Sequence, residues 1–420
     1  MTDPSTSKPT ASAAGTQPKV QIVGDLPPAP TLAANGISAD QNDSDSDDDR
    51  AADEAEEDDP QTEDEAGPST AAGEPEPANN GITRGVVQYG SVRVDHSTAP
   101  PNAAEPPTEE IPDDSELLLH YPDTEQVIDL GHLRLTTTKR LGLQRFAGSL
   151  KRLCLRQNLL TKIRAKDIGS LTQLEDLDLY DNSIEKITGL DELTKLESLD
   201  LSFNNIHHIS GVSHLGRCKT IYFVQNKISR VRADDLQGPI AGSLESLELG
   251  GNRLRSIENI GHLTNLTQLW LGKNKITSLD GISSLTNLKV LSIQSNRITK
   301  LQGLEELVNL EELYISHNGL TKLEGLEKNV KLTTLDVGAN MIEAVENVGH
   351  LSKLEEFWAN DNRISDLNGL DRELGVSRCP ALETVYLEGN PAQKKEGPAY
   401  RRKVKLLLPQ LKQIDATFVR

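Results

Sequence analysis

The sequence predicts an α/β solenoid: a curved parallel sheet lining the concave side, short helices or 3-10 turns across the convex side, and a helical cap at the C-terminal end. Three observations predict it. Asparagine recurs eleven times at a step of mostly 22 residues, at Asn158, Asn182, Asn204, Asn226, Asn252, Asn274, Asn296, Asn318, Asn340, Asn362 and Asn390. Each closes one frame, L-x-x-L-x-L-x-x-N-x-I, as in Leu266-Thr-Gln-Leu269-Trp-Leu271-Gly-Lys-Asn274-Lys-Ile276. Composition breaks sharply ahead of the array. Residues 1–115 hold 25 Asp/Glu against 5 Lys/Arg and 15 of the 21 prolines, whereas residues 116–420 carry 39 charges of each sign.

The frame has a physical reading. Alternating apolar residues such as Leu269 and Leu271 make a short strand with one buried face. The asparagine then turns the chain out of the strand, and its amide can donate and accept where a buried bend would orphan backbone groups. A second apolar set, Leu279, Ile282 and Leu285, closes the far wall. No repeat can bury its own leucines, so its neighbours must, and the step falls within the leucine-rich-repeat range.

Four segments follow in order. Residues 1–115 are too charged and too poor in apolar side chains to offset ordering entropy, so they read as a disordered acidic tail. Such a tail serves solubility and spacing, or regulation. Ser44 and Ser46 each have an aspartate three residues downstream, the context of an acidophilic kinase, and are candidate phosphorylation sites. Residues 116–149 read as an N-terminal cap built on a degenerate repeat, Ile128 to Leu135, with Leu133 in the asparagine position. Residues 150–390 hold the eleven repeats. Two longer steps, 26 residues before Leu244 and 28 before Leu382, are expected to bulge outside the sheet. Residues 391–420 form the C-terminal cap, where Tyr400, Val404, Leu407 and Leu408 make one face of a helix running to about Pro409. Arg401, Arg402, Lys403 and Lys405 are expected on its solvent side, as plain capping or as a basic docking surface.

Composition narrows the function. No stretch is apolar enough to span a membrane, and the N-terminus lacks an apolar signal region. Cys154, Cys218 and Cys379 are an odd count, and the first two lie three strands apart, beyond disulfide reach. Reduced thiols fit a nuclear or cytoplasmic protein.

Strand side chains alternate, so the residue between the two buried leucines faces outward. With the first leucine as position 1, this is position 5, and it reads Cys154, Asp178, Asp200, Tyr222, Glu248, Trp270, Ser292, Tyr314, Asp336, Trp358 and Tyr386. Five of the 14 aromatic residues, both tryptophans among them, occupy this one column. Trp and Tyr dominate binding hot spots, although strand propensity also favours them. Over positions 2, 3, 5, 7 and 8 the same face carries 16 Asp/Glu and 6 Lys/Arg. An acidic aromatic groove repels phosphate backbones and suits a protein with a basic or mixed surface. Catalytic patterns are missing: His207-His208 has no metal-ligand spacing around it, Gly250-Gly251 is a repeat turn, and no nucleophile–base pair shows. No cofactor is expected.

Leu153-Cys-Leu-Arg-Gln-Asn158, Leu177-Asp-Leu-Tyr-Asp-Asn182, Glu356-Phe-Trp358, Glu383-Thr-Val-Tyr386, Tyr400-Arg-Arg-Lys-Val404 and the ending Gln413-Ile-Asp-Ala-Thr-Phe-Val419 resemble the leucine-rich-repeat regulatory subunit of type-1 protein phosphatase. The likeness covers about residues 120–420; the acidic tail and the two long steps depart from it. It implies a non-enzymatic partner of the phosphatase catalytic subunit, bound through the concave face by Asp200, Tyr222, Glu248, Trp270, Asp336, Glu356, Trp358 and Tyr386. Tyr314 joins them from the column alone. It also implies a nuclear and cytoplasmic protein acting in mitosis and chromosome segregation, monomeric alone, with a small inhibitory subunit joining the complex. The alternatives are a spliceosomal scaffold of the same repeat type, against which the acidic face argues, and a prenyltransferase accessory domain, for which no catalytic domain is attached.

Overall fold

Every repeat supplies one short strand, and the strands stack in chain order because each repeat needs its neighbours to cover its leucines. The structure is a computed structural model that describes residues 116–419. Strand β1 (Val127–Asp129) belongs to the N-terminal cap. The repeats give β2 (Arg152–Cys154), β3 (Asp176–Asp178), β4 (Ser198–Asp200), β5 (Thr220–Tyr222), β6 (Ser246–Glu248) and β7 (Gln268–Trp270). They continue as β8 (Val290–Ser292), β9 (Glu312–Tyr314), β10 (Thr334–Asp336), β11 (Glu356–Trp358) and β12 (Thr384–Tyr386). All pair parallel, equivalent position to equivalent position, so Leu269 lies between Leu247 and Leu291, and Trp270 between Glu248 and Ser292. Two strands that the repeat frame does not mark, β13 (Gln413–Ile414) and β14 (Thr417–Phe418), end the sheet in an antiparallel hairpin.

The core is the expected column. Leu266, Leu269 and Leu271 are buried, as are Leu279, Ile282 and Leu285 on the far wall. Each buried Leu or Ile contributes roughly 1.5–3 kcal/mol. The asparagines work as donors and acceptors together. Asn274 Nδ2 donates to the carbonyls of Leu271 (3.0 Å) and, in the preceding repeat, of Leu249 (2.9 Å), while its Oδ1 accepts from Leu254 N–H at 3.0 Å. The turn itself is made one residue earlier than expected. The residue before each asparagine takes a left-handed conformation, from Gln157 (φ 53°) to Gly389 (φ 78°), and the asparagine locks the bend behind it.

The convex side is plainer than expected. Within the repeats, helical segments appear at the two long steps: a 3-10 turn at Gly238–Gly242, and α1 at Leu370–Leu374. The 22-residue repeats cross on turns alone. A helix advances only about 1.5 Å per residue, so the short return reaches the next strand more economically as turns. The extra residues of both long steps fall outside the strands, whose register is unbroken.

At the first edge, Asn158 reaches back into the cap, donating to Leu130 O (2.9 Å) and accepting from Leu135 N–H (2.9 Å). The degenerate repeat is thus held by its neighbour's asparagine, and Leu133 is left 44 % exposed. At the other end α2 (Pro391–Glu396) and α3 (Tyr400–Leu407) precede the hairpin, with Tyr400, Val404 and Leu408 buried. The basic residues of α3 differ from expectation. Arg401 donates to Ile414 O (2.6 Å) and Thr417 O (3.1 Å), Lys405 to Leu411 O (2.7 Å), and Lys403 pairs with Glu396 (2.6 Å). Arg401 thus ties α3 to the hairpin, Lys405 ties it to the segment before the hairpin, and Lys403 ties it to α2; of the four basic residues Arg402 alone is fully on the solvent side. Asp415 stands in for the carbonyl that a next strand supplies in the other repeats (Leu271 N–H to Ser292 O), its Oδ1 accepting from Leu387 N–H (2.9 Å) and Glu388 N–H (3.0 Å). The readings of residues 1–115 as a disordered tail, and of Ser44 and Ser46 as modification sites, lie outside the described residues.

Candidate docking face

Because the strands are parallel and in register, the position-5 side chains form a single file across the open face of the sheet. Asp200, Tyr222, Glu248 and Trp270 are direct neighbours on β4 to β7. Tyr314, Asp336, Trp358 and Tyr386 are neighbours on β9 to β12. Ser292, on β8 and 5 % exposed, separates an acidic half from an aromatic half. Glu356 sits one pleat from Trp358 on β11.

The side chains are not freely exposed, as the alternation rule implies, but half-buried against each other. Trp358 meets Tyr386 edge-on with ring centroids 5.5 Å apart, and Tyr314 at 6.5 Å. The second contact spans β10, and Asp336 lies between those two strands, only 6 % exposed. Large side chains 4.8 Å apart along a sheet necessarily shield one another. Their polar ends are tied down: Trp358 Nε1 donates to Glu356 Oε2 (3.1 Å), Tyr314 OH to Glu312 Oε2 (2.8 Å), and Gln413 Nε2 to Tyr386 OH (2.7 Å). The Trp270 indole N–H is buried with no hydrogen-bond partner among the described residues. Glu312 and Gln413 escape the position-5 count; the two-residue spacing of Glu312–Tyr314 and Glu356–Trp358, which puts both on one face, is the signal for the first. Gln413 has none, lying outside the repeats.

Burial and crowding raise the acidic half. Loss of water, with the Asp200 charge added, pushes the Glu248 carboxyl up to about 7. Burial also raises Asp200 and Asp336, each partly offset by a backbone N–H bond from Ser202 or Gly338. Tyr222 is raised by burial and by the charges of Glu248 and Asp200. The charged carboxylates cost free energy unpartnered and gain from an approaching cation.

Other chemistry is not assembled here. Cys154 is half-buried and Cys218 and Cys379 are buried, all free, and burial pushes the three thiols up to about 12, 12 and 11. Among the described residues no three His, Cys, Asp or Glu are grouped to hold a metal, and no helix is long and apolar enough to cross a membrane. A shallow groove of about 730 Å³ runs not along the column but along the strand-entry rim, beside Glu197, Lys219, Glu245 and Asn265.

The stacked strands, asparagine ladder and apolar column define a leucine-rich-repeat solenoid. Residues 148–206 match the family described as leucine rich repeat, and residues 242–284, 264–306 and 308–350 match leucine rich repeats in two copies. An internalin of Listeria monocytogenes, InlF, has the same fold at a TM-score of 0.52, over 71 % of this chain and 88 % of its own, with 22 % identity.

The resemblance to the type-1 phosphatase regulatory subunit is borne out by the curated relatives. The chain is similar to protein phosphatase 1 regulatory subunit SDS22 of Schizosaccharomyces pombe, 49 % identical over 69 residues, which are 16 % of this chain and 20 % of that protein. It is also similar to protein phosphatase 1 regulatory subunit 7 of Homo sapiens, 70 % identical over 40 residues, 10 % of this chain and 11 % of that protein. The matched segments span about a fifth of these relatives or less.

Proposed function

We propose that this chain is a non-catalytic regulatory subunit that binds the catalytic subunit of type-1 protein phosphatase through the open face of its sheet. Asp200, Tyr222, Glu248, Trp270, Tyr314, Asp336, Glu356, Trp358 and Tyr386 are the contacts. The observation that carries it is the joined column of interlocked aromatics and desolvated carboxylates, in a chain whose relatives are named as regulatory subunits of this phosphatase. Large apolar rings give a partner area to bury. Raised carboxylates reward a partner's lysine or arginine, which returns the charge compensation that burial removed. In this reading the chain acts in nucleus and cytoplasm, in mitosis and chromosome segregation, is monomeric alone, and admits a small inhibitory subunit to the complex.

The test is the affinity of the full chain for the phosphatase catalytic subunit, compared with Trp358→Ala. Trp358 touches two aromatic neighbours and has one hydrogen bond, so truncation costs the fold about 2–4 kcal/mol, and affinity is read on the molecules that remain folded. A hot spot costs binding 2 kcal/mol or more, roughly 30-fold. Lys300→Ala, at an exposed position away from the strands, leaves affinity unchanged. Wild-type affinity for Trp358→Ala removes the aromatic column from the interface.

A further inference from the structure

At the acidic end of the sheet, just beyond the strands, three side chains from successive repeats form a stack that the docking column does not include. The Arg156 guanidinium lies over the Tyr180 ring, 4.9 Å from its centroid, and Tyr180 packs against Phe203 with centroids 4.9 Å apart and planes tilted by 49°. Phe203 is 43 % exposed. It also occupies the left-handed turn position before Asn204, at φ 55°. Polar or small residues fill every other such position: Gln157, Asp181, Gln225, Gly251, Lys273, Ser295, His317, Ala339, Asp361 and Gly389.

A bulky aromatic at positive φ is strained, and an exposed ring returns little burial energy. Folding alone therefore favours Asn or Gly at 203. The surroundings point to what the ring contacts instead. Arg152 pairs with Asp176 (3.4 Å) and Arg156 with Asp178 (3.6 Å), which leaves Asp181 and Asp200 without an ion-pair partner among the described residues. The patch is therefore an aromatic surface in an excess of carboxylates. Arg156 shows the chemistry it accepts: a guanidinium over a ring with a carboxylate beside it.

We propose that Phe203 is a second anchor of the open face, taking an arginine side chain of the bound partner against its ring with Asp181 and Asp200 alongside. This rests on the phosphatase reading above. Strand β4 lies seven strands from β11, so the anchor is about 34 Å from Trp358, within reach of one globular domain.

The test uses the full chain and the purified phosphatase catalytic subunit, reading affinity and melting temperature of wild type, Phe203→Asn and Phe203→Trp. Asparagine tolerates the left-handed turn, so Phe203→Asn melts at or above the wild-type temperature. Its affinity falls at least tenfold, and Phe203→Trp, which keeps a ring, stays within threefold of wild type. Unchanged affinity for Phe203→Asn, with Trp358→Ala still defective, overturns this anchor and leaves the docking column standing. A fall in melting temperature matching the loss of affinity makes Phe203 a structural residue and overturns it too. No binding by wild type removes both readings.

Discussion

Glu248→Gln separates folding from function at one atom pair. The carboxyl lies half-buried between Tyr222 and Trp270, its pKa lifted from the ordinary 4.5 to about 7 by burial and then by Asp200. The folded chain thus binds a proton there more tightly than the unfolded chain, so stability falls as pH rises from about 4.5 to about 7, and the full cost applies above 7. A rise of this size corresponds to at most about 3 kcal/mol at pH 8, and water reaching the half-buried group reduces it to about 1–2 kcal/mol. The amide keeps the shape without the charge. Glu248→Gln should therefore melt above wild type at pH 8, by roughly 2–6 °C for a body of this size, with a smaller gap at pH 5. Binding should move the other way. A partner cation restores the charged form, so wild-type affinity for the phosphatase catalytic subunit rises between pH 6 and pH 8, and Glu248→Gln is both weaker and less pH-dependent. Thermal melts and calorimetric titrations at the two pH values decide it. A variant less stable than wild type at pH 8, or a gap equal at both pH values, refutes the reasoning.

Three further outcomes are expected. Asn274→Ala leaves the Leu254 N–H without its acceptor. It also takes one of two asparagine donors from Leu249 O and Leu271 O, which keep Asn252 and Asn296. With about 1–3 kcal/mol for the orphaned N–H and less for each carbonyl, denaturant unfolding should show a loss of about 2–4 kcal/mol. Leu271→Ala, fully in the core, should lose about 2–5 kcal/mol with little change in affinity of the molecules that remain folded; a loss under 1 kcal/mol would contradict the core assignment. Removing residues 1–115, which carry a net charge of −20, should change phosphatase affinity by less than tenfold at physiological salt, where charge acts over about 8 Å; a larger drop would place the tail in the interface.

The sheet was legible in the sequence because the repeat is a physical unit. Leu269 and Leu271 face the core for want of any other burial, and Asn274 is needed wherever a buried bend leaves backbone groups open. The eleven repeat strands and their order followed from the asparagine spacing alone. What was not legible was contact between side chains of different repeats. Alternation places Trp358 and Asp336 on one face but does not say that Tyr314 and Trp358 meet across β10, where Asp336 lies buried. Nor does it say that Arg401 and Lys405 bind carbonyls rather than solvent. The closing hairpin at Gln413–Phe418 lacks the repeat frame, with no asparagine in it, so no period marks it. Phe203 was visible as an apolar residue at a turn position, yet its conformation emerges only from the backbone.

The chain has two tryptophans, and both point from the open face, on β7 and β11. Fluorine NMR of the full chain labelled with 5-fluorotryptophan therefore reads the docking face through two resonances and nothing else. On titration with unlabelled phosphatase catalytic subunit, both resonances should shift or broaden and saturate at one equivalent, with the Trp270 and Trp358 signals assigned by substitution to Phe. A complex that forms by size-exclusion chromatography while both resonances stay at their free positions would show that the phosphatase binds elsewhere.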